Sequence, residues 1–93
     1  MAFYNCDGLT SVTIPYSVTK MGGNTFEHCS NLTSVYCKAT TPPTGLWNFD
    51  SNASDRKIYV PAESLEKYKN SWYWSEYADD IVGYDFDNGV VVE

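Results

Sequence analysis

Basic residues are scarce in this chain. Six lysines and arginines stand against twelve aspartates and glutamates, a formal net charge of −6. Much of the acidic excess falls late, at Asp79, Asp80, Asp85, Asp87 and Glu93. Nucleic-acid binding is driven by cationic side chains that displace counterions from phosphates, and docking on anionic lipid needs polybasic clusters, so neither partner is expected. No apolar run approaches the roughly 20 residues that cross a bilayer. Cysteine is limited to three residues, an odd number too small for a disulfide scaffold. There is a single histidine, His28, and no His or Cys pair has the spacing of a zinc site. No signal peptide is visible, because Met1 leads at once into patterned sequence. The chain opens without an N-terminal cap and is expected to be part of a longer protein.

The pattern is a period. Phe3, Cys6, Leu9, Thr10, Ser11 and Val12 recur as Phe26, Cys29, Leu32, Thr33, Ser34 and Val35, every offset being 23. Six residue types agreeing at one offset is the signature of a repeat architecture, and 23 lies within the leucine-rich-repeat range. A third step of 23 needs no insertion or deletion: Phe26 lands on Phe49, Gly22 on Gly45, Val35 on Ile58 and Cys37 on Val60. Pro15 lands on Pro61 after two steps. Two ladder positions fail, since Cys29 lands on Asn52 and Leu32 on Asp55. The third repeat thus keeps its aromatic anchor and its strand but not the residues leading into the strand, as a terminal repeat is expected to do.

Alternation assigns the faces. Leu9, Val12 and Ile14 form an L-x-x-L-x-L pattern, in which Val12 and Ile14 point to one side of a strand and Ser11 and Thr13 to the other. The inner rows continue as Leu32, Val35 and Cys37, then Ile58 and Val60; the outer row is Ser11, Thr13, Ser34, Tyr36, Lys57 and Tyr59. One repeat cannot bury its own apolar row, so burial comes from stacking, at roughly 4.8 Å per strand. Residues 9–14, 32–37 and 57–61 are therefore expected to be parallel neighbours, with Phe3, Phe26 and Phe49 stacked on the opposite side. The expected fold is a repeat solenoid: a leucine-rich-repeat-like right-handed coil of 23-residue repeats with a short parallel sheet, closed by a C-terminal helical cap. It is read as one domain, with repeats over 1–61 (two full, the third degenerate), a cap over 62–84 and an acidic tail over 85–93.

Pro42-Pro43 forbids helix and favours an extended connection, and the polar stretch 50–56 reads as a loop. Pro61 ends a strand and suits a helix start. Residues 62–70 read as a helix, with Glu63 and Glu66 early and Lys67 and Lys69 late, in keeping with the helix dipole. Leu65, Tyr68 and Trp72 share the i, i+3, i+7 face, which is expected to cover the last repeat together with Trp74, Tyr77 and Ile81. Ile81–Tyr84 reads as a short final strand. Residues 85–93 are expected to fray, the alternative being that the apolar run Val90-Val91-Val92 pairs with a sheet edge.

The segments Ala2-Phe3-x-x-Cys6-x-x-Leu9-Thr10-Ser11-Val12-Thr13-Ile14-Pro15 and Pro15-x-Ser17-Val18-Thr19-Lys20-Met21-Gly22 resemble the BspA-like leucine-rich repeats of Bacteroides-type surface proteins and of some parasitic protists. The resemblance covers about residues 2–61. The run Ile58-Tyr59-Val60-Pro61, followed by Tyr68-Lys69, Trp74, Tyr77-Ala78 and Ile81, is similar to the C-terminal cap of bacterial members. The chain departs from the pattern at Cys37, where isoleucine is usual, and at Met21-Gly22-Gly23. The resemblance implies an extracellular or cell-surface origin, adhesion or protein binding, and no catalytic residues.

Residue chemistry points the same way. His28 beside Cys29 suggests a nucleophile pair, but neighbours on a short turn point apart and no third group orients them. Asp85-Phe86-Asp87-Asn88-Gly89 is similar to a calcium loop, but Val90 occupies the position that needs glycine and the chain stops before the required glutamate. No catalytic, cofactor or metal residues are therefore assigned. Trp47, Trp72, Tyr73 and Trp74 raise the possibility of a sugar platform, and packing is the favoured reading. Tyr36 and Tyr59, with Thr13 completing the row, are the candidate partner contacts, because tyrosine is favoured at protein interfaces. Three functions compete: a protein-binding or adhesion module with an unidentified protein partner, a host extracellular protein being one candidate; a purely structural end-cap; and a carbohydrate-binding module. The free edge near Leu9–Ile14 also invites self-association. Cys6 and Cys29 are ladder equivalents, read as buried packing residues, with a disulfide or a metal as the alternatives. Thiol titration of unfolded, unreduced protein is expected to count three free thiols, whereas a count of one means that Cys6 and Cys29 are bonded.

Overall fold

The computed structural model describes residues 8–21, 26, 28–45, 49 and 52–92. Phe3, Cys6 and Trp47 lie outside the described residues, and with them the first member of the phenylalanine stack and the Cys6–Cys29 pairing. Among these residues five short strands form one open sheet in the order β1-β2-β3-β4-β5: β1 Ser11–Ile14, β2 Ser34–Cys37, β3 Lys57–Pro61, β4 Ile81–Asp85 and β5 Val90–Val91. A 3-10 turn, Ala62–Ser64, leads into one helix, α1 Leu65–Asn70, and a second 3-10 turn, Ser75–Asp80, leads into β4.

The first four strands are parallel, and the register is uniform. Ser11 lies opposite Ser34, Ser34 opposite Lys57, and Ile58 opposite Ile81, each pair 23 residues apart. The ladder begins before the strands: Thr33 N–H donates to the Thr10 carbonyl at 2.9 Å, and Lys57 N–H to the Thr33 carbonyl at 2.9 Å. Val35, Cys37, Ile58 and Val60 are fully buried on the inner face, and Ile14 nearly so. Each side chain of this size contributes about 1.5–3 kcal/mol when removed from water. Behind the sheet the Phe26 and Phe49 rings stack at 5.7 Å and 5°. Met21 N–H donates to the Thr44 carbonyl at 2.7 Å and Lys20 bridges Thr44, so the Pro42-Pro43 stretch is indeed an extended connection.

The stretch after Pro61 departs from the expected helix in two ways. It is a 3-10 turn followed by six α-helical residues, and Trp72 does not join its buried face. Ser71 leaves the helix at φ −73°, ψ 134°, which breaks the i+7 relation to Leu65. Trp72, one step of 23 beyond Phe49, is 72% exposed. Trp74 takes the anchor role instead: it is buried, lies 5.3 Å from Phe49 and 5.0 Å from Tyr68, and donates its indole N–H to the Pro43 carbonyl at 2.7 Å.

One of the two failed ladder positions has a polar explanation. Asn52, in the place of Cys29, donates to the Phe26 carbonyl at 2.8 Å and to the Cys29 carbonyl at 3.3 Å. Its oxygen accepts from Arg56 Nη1 at 3.3 Å, which also donates to the Phe49 carbonyl at 2.5 Å. Arg56 is only 8% exposed; it pairs with Asp80 at 2.8 Å and lies over the Tyr77 ring at 5.0 Å. The departure at Cys37 has a similar reason. The Tyr68 hydroxyl donates its single proton to the Ala39 carbonyl at 2.6 Å, so in the 3.1 Å contact with Cys37 Sγ the thiol is the donor. Ser64 Oγ adds a bond to the Thr40 carbonyl at 2.8 Å.

The acidic tail does not fray over its described residues. Asp85–Asn88 and Gly89 turn the chain, and β5 pairs antiparallel to β4, with Tyr84 opposite Val91 and Asp85 opposite Val90. Gly89 adopts φ 69°, a left-handed conformation that glycine takes without strain. Val92 N–H donates to the Gly83 carbonyl at 2.9 Å. Gly83 occupies a core position because a Cβ there would meet the Val92 carbonyl at 3.1 Å and Ala62 Cα at 3.4 Å. The valine run therefore sits at the opposite end of the sheet from β1, which pairs only with β2 among the described residues, and within this chain it does not supply a strand to that edge.

Two outcomes follow for stability. Burial pushes the Cys37 thiol above its ordinary 9.0, against smaller lowering contributions from Tyr68 and Ala39. Burial likewise pushes the Tyr68 phenol far above its ordinary 10.0, and the neighbouring thiol pushes it further. The unfolded chain loses these protons first, so the stability they contribute is present below pH 9 and is lost as pH rises beyond it. Urea unfolding across alkaline pH is expected to show a decline of up to about 1.4 kcal/mol per pH unit for each group, and Cys37→Val and Tyr68→Phe are each expected to flatten it. Asn52→Ala, which removes no apolar contact, is expected to cost about 1–3 kcal/mol by leaving backbone carbonyls and Arg56 short of partners; an unchanged urea midpoint would show that these bonds add nothing.

Candidate functional site

Alternation along the strands places Thr13, Tyr36 and Tyr59 in one row on the outer face, Thr13 opposite Tyr36 and Tyr36 opposite Tyr59. Thr13 is exposed and both tyrosines are half-buried. Their rings stack at 4.8 Å and 15°, a consequence of identical side chains one strand apart, and such a pair contributes about 0.5–1.5 kcal/mol beyond its buried area. Val82 follows in the same row. Tyr84, two residues on, points to the same side and sets its ring edge-on to both, 5.5 Å from Tyr36 and 5.3 Å from Tyr59. Phe86 lies edge-on to Tyr84 at 4.9 Å, and the Lys38 ammonium sits 6.0 Å from the Phe86 ring centre. The Tyr59 phenol is pushed up, first by burial and then by Tyr36 and Tyr84, which keeps this hydroxyl neutral. The tyrosine row is thus aromatic and hydroxyl-bearing, with the Lys38 ammonium at its margin beside Phe86.

Beside the patch, at the carboxyl ends of β2, β3 and β4, is a groove of about 490 Å³. Its floor is Pro61 and Ala62, and Lys38, Thr40, Glu63, Tyr84, Phe86 and Asp87 stand around it, with Asp85 and Val92. The Asp85 carboxylate is occupied by its own turn. Its Oδ1 accepts from the Asp87 and Asn88 amides at 3.0 and 3.1 Å, and its Oδ2 accepts from Asn88 Nδ2 at 2.8 Å. The bonds from Asn88, then that from Asp87, hold this carboxyl below the usual carboxylate range. Asp85-Phe86-Asp87-Asn88-Gly89 is therefore a hairpin turn. Among the described residues no group of three or more His, Cys, Asp or Glu side chains is placed to hold a metal ion.

The His28–Cys29 pair is separated by burial: His28 is exposed at φ 62°, whereas Cys29 is fully buried. The left-handed turn at His28 is one that histidine adopts more readily than most non-glycine residues. Of the proposed sugar platform, Trp74 is core, and Trp72 is exposed with Tyr73 edge-on at 5.3 Å.

A register of 23, an L-x-x-L-x-L strand and a stacked phenylalanine column define a leucine-rich repeat. The sequence model of the BspA type leucine-rich repeat region (6 copies) matches residues 1–82. The chain belongs to the BspA-type leucine-rich-repeat family. No curated protein matches it. The leucine-rich-repeat family is generally non-enzymatic, its BspA type is generally associated with bacterial surfaces, and membership suggests a protein-interaction module. No helix among the described residues is long and apolar enough to cross a membrane. The BspA-type match takes in Tyr36 and Tyr59 and ends at Val82, so Tyr84, Phe86 and Asp87 lie beyond it. Alternation found the first two tyrosines. Tyr84 shares their outward parity and ends the short strand expected over Ile81–Tyr84, but alternation alone does not tie that strand to the tyrosine row, and the contribution of Lys38 and Phe86 depends on a hairpin that alternation does not report.

Proposed function

We propose that this chain is the C-terminal part of a right-handed leucine-rich-repeat solenoid of 23-residue coils, displayed outside the cell, which binds a protein partner through the outer face of its sheet and performs no catalysis. The observation that carries the reading is the stacked, half-exposed Tyr36–Tyr59 pair with Tyr84 against it. Inner positions at the same strands are sealed by Val35, Ile58 and Val60, so the fold does not need outward tyrosines for its core. Tyrosine offers a large amphipathic contact with few rotatable bonds, which is why it is enriched among interface residues that dominate binding. The segment from Ala62 to Asp80 closes the last coil by covering Phe49 with Trp74 and Tyr77.

The reading is tested by surface plasmon resonance against purified extracellular host proteins. The double variant Y36A/Y59A is expected to lose at least about tenfold in affinity for a partner bound by the parent chain, since a residue that dominates an interface is worth about 2 kcal/mol or more. Its melting temperature is expected to stay within a few degrees, apart from the stacking contribution. Unchanged affinity in a folded double variant removes the sheet face from the binding surface and leaves a structural end-cap.

A further inference from the structure

The groove beside the tyrosines has a chemistry that the aromatic row lacks. Its rim carries Glu63, Asp85 and Asp87 against the single cation Lys38, an excess of negative charge within one concavity. Asp85 is committed to its turn. Glu63 and Asp87 take part in no ion pair among the described residues, where the Arg56–Asp80 pair is the only salt bridge. Two aromatic rings, Tyr84 and Phe86, line the same space, and Lys38 beside Phe86 shows that a cation already rests at this ring. A volume of about 490 Å³ falls within the range of small-ligand clefts, enough for one long side chain and its adjoining backbone. A planar guanidinium is the group that both stacks on aromatic faces and pairs with carboxylates. The net charge of −6 draws a basic partner toward the surface and disfavours an anionic one.

We propose that this groove receives an arginine side chain of the protein partner, with the guanidinium held by Glu63 and Asp87 and its stem lying on Tyr84 and Phe86. The proposal rests on the reading of the outer sheet face as a protein-binding surface, which it extends by naming the chemistry of the contact. Lys38, Thr40 and Glu63 come from the region matched by the repeat family, and Tyr84, Phe86 and Asp87 from beyond it. The groove lies where the carboxyl ends of the parallel strands meet the hairpin between β4 and β5.

The test is an amide NMR titration of the full chain with Nα-acetyl-arginine methylamide and, separately, with its neutral isostere Nα-acetyl-citrulline methylamide. The arginine compound is expected to give saturable, salt-sensitive shifts at Lys38, Glu63, Tyr84 and Asp87. The citrulline compound is expected to bind about tenfold more weakly, and the variant E63Q/D87N to weaken the arginine compound by a similar factor. E66Q/D79N, which removes the same charge from exposed positions elsewhere, is expected to leave it unchanged. Equal binding of the two compounds, shifts spread over the acidic surface, or equal weakening by both variant pairs overturns the proposal; if E63Q/D87N does not fold, the citrulline comparison decides. The Y36A variant separates the two readings. Absence of groove shifts together with loss of the protein partner in Y36A refutes the arginine site and leaves the sheet-face reading standing. Groove shifts that survive in Y36A while partner affinity is unchanged support the groove and refute the sheet face.

Discussion

None of the four parallel strands can bury its own apolar residues, and the rest of the molecule follows from that constraint. Val35 and Cys37 are sealed only because β1 and β3 lie on either side in a register of 23 residues. A slip of one residue would turn Val35 outward and Tyr36 inward, since side chains alternate along a strand. The same register that builds the core therefore also builds the tyrosine stack on the outside. Packing and the candidate binding surface are two sides of one backbone arrangement.

From β3 onward apolar stacking gives way to hydrogen bonding. The third and fourth levels of the ladder replace Cys29 and Leu32 by Asn52, Asp55 and their successors, and polar groups reach across to carbonyls that a further identical coil would satisfy. Asn52 reaches back to the Phe26 and Cys29 carbonyls, Arg56 to that of Phe49, and Trp74 to that of Pro43. Tyr68 does the same at Ala39. Each bond satisfies a buried backbone group that would otherwise cost free energy, which is how a repeat structure can stop without exposing its interior.

How much of this was legible from residues alone depended on whether a side chain repeats or substitutes. Val12, Val35 and Ile58 recur in kind, so their strands, their parallel order and the outward placement of Tyr36 and Tyr59 were all readable. Ile81 keeps the offset of 23 from Ile58, but Trp72 in the phenylalanine column and Ala78 in the leucine column no longer resemble their predecessors, so Ile81–Tyr84 is legible as a short final strand but not as a fourth rung. Trp72 misled because helical periodicity was extended past Ser71, where the backbone leaves the helix. The tail misled because acidic composition hid turn chemistry: Asp85 accepts from the amides that follow it, and Gly89 takes the positive φ. The groove was invisible for the same reason, as it appears only once that hairpin folds back over β4.

The reversal of chain direction at β5 has an evolutionary consequence. Every level from β1 to β4 presents the next with the same parallel edge, so a 23-residue unit can be duplicated or deleted ahead of β2 while the ladder closes over the change. The antiparallel strand breaks that equivalence, because a unit added after it would meet an edge of opposite polarity. On this geometry a further parallel unit fits ahead of β2 but not after β5, where the edge runs the other way.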